Sequence, residues 1–442
     1  MTITTRSRRL LVVTLSLFLA ACSGEDGSSA SSADATSTAD TGTASDAGAD
    51  AGSDQDAATD ATSDAATDAD TDVAAHNDAE SDAGANADDP PYAIGVTTIE
   101  IVGAHDRKLP TEVWYPVAKG TEGAVTSYVS GVIPSPNGAM RDVAAAAGPF
   151  PLVVFSHGNA GVREQSPFLT ERLAAWGYVV AAPEHVGNSL PTYDEAQLPA
   201  MFIWRTIDVS ATIDRMVAPT AADPKWFAGL VDGDHIAVAG HSFGGYTALA
   251  IAGAKVVVPA ANTPQCEGED KGTLVCDEIA KLSGPPPWDL SDDRVDLALP
   301  MAHAGHAIFD PQSLADLTVP AVLFAAQGDT MTTPTAEAKP TYAALSAPKA
   351  LILYTGGNHF SFAEMCPLAP FAQGDQKQLI EELCGPGAEP PLAEVHASIA
   401  AYTIAAVDLW LKGDETARSA FDVSVERPAW VGMQQEGISP GP

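Results

Sequence analysis

The segment DHIAVAGHSFGGY, residues 234–246, joins an apolar run to a turn of the form Gly-x-Ser-x-Gly, and an alanine-rich stretch of helical character follows. A buried strand that turns sharply into a helix has this order of residues, which is the nucleophile elbow. Gly240 and Gly244 fit because strand and helix approach so closely there that side chains would collide. The pattern predicts that Ser242 presents its hydroxyl as a nucleophile. An ordinary glycine-rich turn is the alternative.

Two backbone N–H groups are candidates for stabilising the oxyanion that attack by Ser242 would create. The N–H of Phe243 would lie at the N-terminus of the predicted helix, where the helix dipole favours an anion. The second candidate is the N–H of Asn159, in the sequence PFPLVVFSHGNAG at 149–161. Gly158 would let this loop approach a substrate closely. A simple glycine turn after a strand is the alternative.

The N-terminal 21 residues are predicted to be an export signal. Three arginines precede an apolar run at 10–19, and small residues follow, which is typical of such signals. The run is too short to cross a bilayer as a helix. This end resembles a bacterial lipoprotein signal, which implies that Cys22 is acylated and anchors an exported protein to a membrane. Ser23, directly after the cysteine, favours the outer membrane. A plain signal peptide is the alternative.

Residues 22–91 are predicted to be a disordered acidic tether. They consist almost entirely of Ala, Asp, Ser, Thr and Gly, which cannot bury enough apolar surface to offset the entropy of folding. The whole chain carries a formal net charge of −36. Because an acidic surface repels phosphates, we expect no nucleic-acid partner.

Residues 92–435 are predicted to form one α/β domain, with 436–442 as a tail. Strand-like and helical segments alternate along it: 96–102, 111–115, 150–156, 164–176 (helix), 178–183, 200–217 (helix), 236–241 and 392–411 (helix). This alternation predicts a mostly parallel central sheet with helices on both faces. We expect Arg205 and Asp208 to form an i,i+3 pair that stabilises their helix rather than to belong to a site.

Three segments carry a family resemblance: 150–158, 177–185 and 236–245. Together they resemble the α/β-hydrolase superfamily, and most closely its branch of platelet-activating factor acetylhydrolases and predicted dienelactone-hydrolase-like esterases. The resemblance spans most of residues 92–410 and implies the α/β-hydrolase fold and hydrolysis of carboxylic esters. True dienelactone hydrolases use a cysteine nucleophile, so Ser242 argues against lactone chemistry of their kind.

A serine nucleophile needs an imidazole base and a carboxylate that orients it. In α/β hydrolases the chain order is serine, acid, histidine. We expect His359 to be the base, because it follows a buried strand and a glycine-rich loop that lead to the sheet edge of Ser242. His396 lies within a predicted helix and is expected to be structural. His303 and His306 lack a cysteine or carboxylate at ligand spacing, so we expect no metal site.

Asp329 is the predicted acid. It ends the strand before the one that carries His359, so both should reach the same rim of the sheet. Acetylhydrolases of the animal type place the acid one strand earlier, where residues 297–303 of this chain hold no carboxylate. That departure favours Asp329. Asp310 and Asp296 are the alternatives.

Four cysteines remain in the predicted mature chain after Cys22: Cys266, Cys276, Cys366 and Cys384. An even number in an exported protein indicates two disulfides. Three pairings are possible. We favour the sequential pairing, because each pair brackets a proline- or glycine-containing loop that would cover the site.

The sequence therefore predicts an exported, lipid-anchored serine ester hydrolase, a monomer without cofactor or metal, acting on small-molecule, lipid or polyester esters. An amidase or peptidase with the same triad and a non-catalytic surface binding module with a vestigial site are the alternatives. The substrate itself is not predicted. We expect its acyl length to depend on side chains within 186–200, 259–293 and 360–391.

Overall fold

The computed structural model describes residues 89–221, 223–257, 273–346, 348–372 and 374–438. The predicted signal with Cys22, most of the predicted tether, the end of the predicted tail and Cys266 lie outside these residues. The domain boundaries, the lipid anchor and the pairing of Cys266 with Cys276 therefore stay predictions.

A large mixed sheet forms the centre of the described residues. In chain order the strands are β1 (Ala93–Val102), β2 (Lys108–Val117), β3 (Ser127–Tyr128), β4 (Ile133–Pro134), β5 (Met140–Arg141), β6 (Phe150–Ser156), β7 (Val179–Pro183), β8 (Val231–His241), β9 (Val295–Met301), β10 (Ala321–Ala326), β11 (Lys349–Tyr354) and β12 (Val431–Glu436). Ten of them form one sheet in the order β12-β11-β10-β9-β8-β6-β7-β2-β1-β5, while β3 and β4 pair with each other.

The middle of the sheet is parallel. Strands β7, β6, β8, β9, β10 and β11 pair in parallel along the sheet. The antiparallel pairings are at the flanks, where β2 pairs with β7 and β1, and β12 pairs with β11. The carboxyl ends of the parallel strands therefore meet at one edge, which is where α/β folds place their ligands.

The parallel strands are apolar because both of their faces are covered. Every residue of β6 and of β10 is buried, as expected for strands inside a parallel sheet. Side chains alternate between the faces: Leu152 and Val154 belong to one hydrophobic cluster, and Val153 and Phe155 to another. The domain has a core on each side of its sheet.

Helices cover both of these cores. In chain order they are α1 (Pro167–Ala175), α2 (Leu198–Val217), α3 (Phe243–Ile251), α4 (Leu274–Ile279), α5 (Pro311–Asp316), α6 (Ala338–Ala344), α7 (Gly374–Cys384) and α8 (Leu392–Leu411). Apolar residues of α2 and α3 lie in the cluster of Leu152, and those of α1 and α8 in the cluster of Val153. The predicted mostly parallel sheet with helices on both faces is confirmed.

Helix α8 is long and apolar enough to cross a membrane by length and composition alone, and half of it is buried within the protein. Its residues Val395, Ile399 and Val407 are part of the core against the sheet. A core helix of a globular domain passes the same test, so the contacts assign α8 to the core.

The predicted ion pair between Arg205 and Asp208 is wrong as a description of helix α2. Both side chains are fully buried, and they reach different partners. Asp208 bonds to Arg107 at 2.6 Å and to His185 at 2.9 Å, whereas Arg205 donates to the backbone carbonyl of His157 at 2.6 Å. These partners lie in segments far from α2 along the chain, so helical spacing alone did not reveal them.

Candidate active site

Ser242 lies in a strained turn between β8 and α3. Its φ of 57° and ψ of −116° are outside the regions that most residues adopt. A Cβ at Gly240 would lie 2.3 Å from the carbonyl oxygen of Gly244, and one at Gly244 would lie 1.8 Å from that of Ser156. No larger residue fits either position without moving backbone. The steric reason predicted for the two glycines is confirmed.

The predicted acid and base are hydrogen bonded to each other. His359 Nδ1 donates to Asp329 Oδ2 at 2.8 Å, and each residue is 3% exposed. Both follow neighbouring parallel strands, β10 and β11, so their loops leave the same edge of the sheet. The structure therefore places the Asp329 carboxylate where it orients the His359 ring.

Four hydrogen bonds hold the Asp329 carboxylate. Besides the bond from His359, it accepts the backbone N–H groups of Met331 and Thr332, each at 2.8 Å, and the Thr332 hydroxyl at 2.7 Å. Burial alone would raise the pKa of Asp329, but His359 and the Thr332 donors outweigh it and hold this pKa below its ordinary value. The carboxylate stays ionised and fixed.

Sequence reasoning missed Thr332. Its backbone N–H and hydroxyl both reach the carboxylate of Asp329, three residues earlier. An aspartate followed at that spacing by a threonine is an ordinary turn signal, in which the carboxylate caps nearby backbone donors. That signal could have identified Thr332 as the residue that fixes the acid.

Ser242 and His359 line the same cavity, of about 220 Å³. No hydrogen bond joins the Ser242 hydroxyl to the His359 ring among the described residues. In hydrolases without a ligand this bond is often long and shortens only when a substrate binds. The site thus contains all three predicted residues, with the acid–base pair formed and the nucleophile beside the same cavity.

A loop of residues 157–161, named the oxyanion loop, lies next to the nucleophile. A Cβ at Gly158 would be 3.4 Å from the Cβ of Ser242. Within the loop, the N–H groups of Gly158, Ala160 and Gly161 donate to Gln165 Oε1, Asn188 O and Gly158 O, at 3.0, 3.1 and 3.0 Å. Asn159 lines the cavity, and its N–H is the candidate donor that remains. Phe243 is the first residue of α3, as predicted.

Gln165 and His241 connect three parts of the site. The Gln165 side chain accepts from the N–H of Gly158 at 3.0 Å and donates to His241 Nδ1 at 3.0 Å. His241 Nε2 donates to the carbonyl of His359 at 2.8 Å. Burial lowers the pKa of His241 to about 3, so the ring is neutral and can donate and accept at once. The sequence showed no local signal for this link.

The alternative site residues have structural partners instead. Asp310 caps α5 by accepting from Ser313 N at 2.8 Å, and Asp296 accepts from Ile236 N at 2.8 Å. His396 is buried and stacks on Phe168 with ring centres 3.6 Å apart. Asp329 is therefore the carboxylate that reaches the predicted base.

His303 and His306 both contact the hydroxyl of Thr341, each at 2.9 Å. Within the described ranges, no group of three or more His, Cys, Asp or Glu side chains is placed to hold a metal ion. The two histidines pack a threonine of α6 between them, which is a structural arrangement.

The cavity is roofed by a segment closed with a disulfide. Cys366 and Cys384 are joined with an S–S distance of 2.04 Å, as predicted. The segment between them, named the cap, comprises a short 3₁₀ helix (Cys366–Phe371) and α7. Leu368 and Ile380 of the cap line the cavity. Residues within 360–391 therefore line the cavity, and the dependence of acyl length on them stays a prediction.

The remaining cavity wall is mostly apolar. Its side chains include Leu190, Met331, Phe360 and Met365. Among the described residues of the wall, Glu364 supplies the one carboxyl group, and burial raises the pKa of that group. The described part of the predicted segment 259–293, residues 273–293, does not line the cavity.

Comparisons with known proteins agree with this architecture. The family described as platelet-activating factor acetylhydrolase, isoform II, matches residues 121–200, which include β6, the oxyanion loop and β7 and end before Ser242. Among solved structures, the chain is similar to a ferulic acid esterase from Streptomyces cinnamoneus, with 22% identity, a TM-score of 0.55, and coverage of 78% of this chain and 97% of that one. No curated protein matches the sequence significantly.

The fold is that of the α/β hydrolases, as the sequence resemblance implied. The matching family is named for an acetylhydrolase, and the similar structure is named as an esterase. The structural likeness shows the fold, and the chemistry of this chain has to be argued from its own site.

Proposed function

We propose that this protein is a serine ester hydrolase that works through an acyl-enzyme on Ser242. The observation that carries the proposal is the 2.8 Å bond between His359 Nδ1 and Asp329 Oδ2, at the rim of the cavity that Ser242 also lines. A serine on a strained elbow beside an oriented imidazole is the arrangement that activates a hydroxyl as a nucleophile.

The reaction has two halves. In the first, His359 takes the proton of Ser242 while the serine oxygen bonds to the ester carbonyl carbon. The N–H groups of Asn159 and Phe243 stabilise the oxyanion, and Asp329 stabilises the imidazolium. The bond to the alcohol then breaks and His359 protonates the leaving alcohol. In the second half, water attacks the acyl group with His359 as base, which releases the acid and restores Ser242.

The cavity supports a substrate with an uncharged, apolar acyl group. Leu368, Ile380 and Met331 offer apolar contacts along its wall. The Glu364 carboxyl would repel a substrate with a second negative charge near the ester. Small-molecule, lipid and polyester esters all satisfy these requirements. Export and a lipid anchor on Cys22 remain part of the proposal, supported by the sequence of the N-terminal segment.

The test compares esters with anilides on wild type and Ser242→Ala. The wild type should hydrolyse p-nitrophenyl esters, and Ser242→Ala should lose on the order of 10⁵ in kcat because the nucleophile is gone. The exposed Ser419 provides the control, since Ser419→Ala should leave turnover unchanged.

Each contrary result has a separate meaning. Faster hydrolysis of the anilide would assign the protein to amidases. A folded wild type that turns over neither substrate would support a binding module with a vestigial site. Equal turnover by Ser242→Ala would remove the serine from the mechanism.

A further inference from the structure

Arg205 of α2 bonds to the oxyanion loop and does not itself line the cavity. The residue is fully buried. Its Nη1 donates to the carbonyl of His157 at 2.6 Å, and its Nη2 donates to the carbonyl of Gly158 at 3.1 Å. Nε donates to Asn188 Oδ1 at 3.0 Å. The guanidinium is therefore bonded to two consecutive carbonyls of the loop.

These bonds affect the direction of the Asn159 N–H, the proposed oxyanion donor, because of the geometry of the peptide unit. The carbonyl of Gly158 and the N–H of Asn159 belong to one peptide unit, which is planar and trans, so the two groups point in opposite directions. Because Arg205 holds the Gly158 carbonyl, the Asn159 N–H of the same peptide points away from Arg205. That direction leads to the cavity, which Asn159 lines.

His157 also donates a hydrogen bond to the carbonyl of Gly158. Its Nε2 accepts from the N–H of His185 at 3.0 Å, so its proton is on Nδ1, which donates to the carbonyl of Gly158 at 2.7 Å. Burial, followed by the charge of Arg205, lowers the pKa of His157 well below that of a free imidazole. The ring is neutral, and the peptide between Gly158 and Asn159 is held by two side chains.

Arg205 also touches the residue that carries the second proposed donor. Its guanidinium carbon lies 4.5 Å from the ring centre of Phe243, a distance at which a cation is attracted to an aromatic face. Arg205 thus contacts both the peptide of Asn159 and the side chain of Phe243.

Among the residues that the structure describes, no carboxylate forms an ion pair with Arg205. Asp208, the nearest acid along the helix, bonds to Arg107 and His185 instead. Burying a guanidinium is costly unless its donors are satisfied. Here two carbonyls of the loop and the side-chain oxygen of Asn188 accept from it.

We propose that Arg205 is a positioning residue of the oxyanion hole, which fixes the Gly158–Asn159 peptide so that the Asn159 N–H faces the reacting carbonyl. The inference rests on the proposed ester hydrolysis at Ser242. It assigns to Arg205 a contribution to transition-state stabilisation without contact with the substrate.

The test is Arg205→Lys, which keeps the charge but cannot bond to two carbonyls in the same planar geometry. We expect kcat for a p-nitrophenyl ester to fall about 10²-fold, as for loss of one oxyanion donor, with KM changed less than about twofold because ground-state contacts remain. Affinity for a boronic acid, whose adduct on Ser242 mimics the tetrahedral intermediate, should fall by the same factor as kcat.

Arg107→Lys is the matched control. Arg107 belongs to the same buried network through its 2.6 Å bond to Asp208, and it bonds to the carbonyl of Val186 rather than to the oxyanion loop. This variant should lower the thermal stability and leave both kcat and boronic acid affinity unchanged. A purely structural role of Arg205 would give the same pattern as this control.

A folded Arg205→Lys with wild-type kcat, or with reduced kcat and unchanged boronic acid affinity, would overturn the inference. If Arg205→Lys does not fold, Asn188→Ala replaces it, because it removes the acceptor of Arg205 Nε. It also removes the bond from Asn188 Nδ2 to Asn159 Oδ1, so Asn159→Ala, which loses that bond and keeps its backbone N–H, is measured beside it. Asn188→Ala should lower kcat and boronic acid affinity together, about tenfold relative to Asn159→Ala, and values equal to those of Asn159→Ala would count against the proposal. A wild type inactive on esters would instead overturn the proposed function, and this inference with it.

Discussion

The two sides of the oxyanion loop differ sharply in chemistry. Toward the cavity, the wall is mostly apolar and includes Leu190 and Leu368. Beneath the loop, Arg205, His185 and Asp208 are polar and fully buried. An apolar wall can select a substrate by contact but cannot hold a backbone in one orientation. The polar side can, because each hydrogen bond has a direction.

Because of this difference, substitutions in the two regions should change different kinetic constants. Changes beneath the loop should lower kcat with little effect on KM, as proposed for Arg205. Changes in the cavity wall should alter KM and the preference for acyl length. Changes at the acid–base pair should exceed both, because the proton transfer itself depends on it.

The largest effect in this series is expected for Asp329→Asn. The amide can no longer accept from His359 Nδ1 as a carboxylate does, so the imidazole loses its orientation and the stabilisation of its charged form. By analogy with serine proteases, kcat for a p-nitrophenyl ester should fall about 10⁴-fold. Full activity of this variant would assign the acid to another residue. Asp310→Asn, which changes only a helix cap, is the control.

A smaller effect is expected in the cap. Leu368→Ala removes apolar contact from the cavity wall, which should reduce kcat/KM for an octanoate ester about tenfold, at about 0.8 kcal/mol for each methylene that loses its burial. The acetate ester has a much shorter acyl chain, and we expect its turnover to be unaffected. Initial rates over a series of acyl lengths measure this. Val423→Ala, at an exposed apolar residue, is the control. Equal losses for acetate and octanoate would contradict the assignment of the wall.

The smallest effect is expected for the Glu364 carboxyl of the cavity wall. Glu364→Gln should lower KM for a p-nitrophenyl ester with a free carboxylate about threefold, because a repulsion of about 0.6 kcal/mol between partly screened charges is removed. KM for a neutral ester should not change. His396, 3.7 Å away, does not neutralise this carboxyl, since burial lowers the pKa of His396 to about 3.

The protonation of Glu364 should also make KM for the anionic ester depend on pH. Burial, with the charge of Glu171, raises the pKa of Glu364, so the carboxyl takes up a proton at a higher pH than a free glutamate. The wild type should therefore discriminate less against the anionic ester as the pH falls, and Glu364→Gln should show no such trend. Parallel KM profiles for the two proteins would contradict this.

The arrangement of Ser242, Asp329 and His359 at one edge of the sheet could be predicted because it depends on local rules. The glycines around Ser242 follow from steric contact within one turn, and Asp329 and His359 follow from the rule that parallel strands end at one edge. The absence of a carboxylate at 297–303 already favoured Asp329 over Asp310 and Asp296 in the sequence, but it could not show which side chain reaches His359. In the structure Asp329 bonds to His359.

The hydrogen bonds of the buried polar residues beneath the oxyanion loop could not be predicted from the sequence. Arg205 is near Asp208 along the helix, so helical spacing favoured a local pair, whereas its partners lie 48 and 47 residues earlier. Gln165 and His241 are separated by 76 residues. Bonds of this kind arise from packing of distant segments. The short strands within 117–148 escaped prediction for a simpler reason: two residues show no periodicity.

The central claim is that Ser242, activated by His359, becomes acylated. It is tested most directly by treating the folded protein with a fluorophosphonate and locating the adduct by peptide mass spectrometry. We predict one adduct, on Ser242, in the wild type and its near absence in His359→Ala under the same conditions. An ester-hydrolysing wild type with no adduct on Ser242, or with the adduct on another residue, would contradict the account.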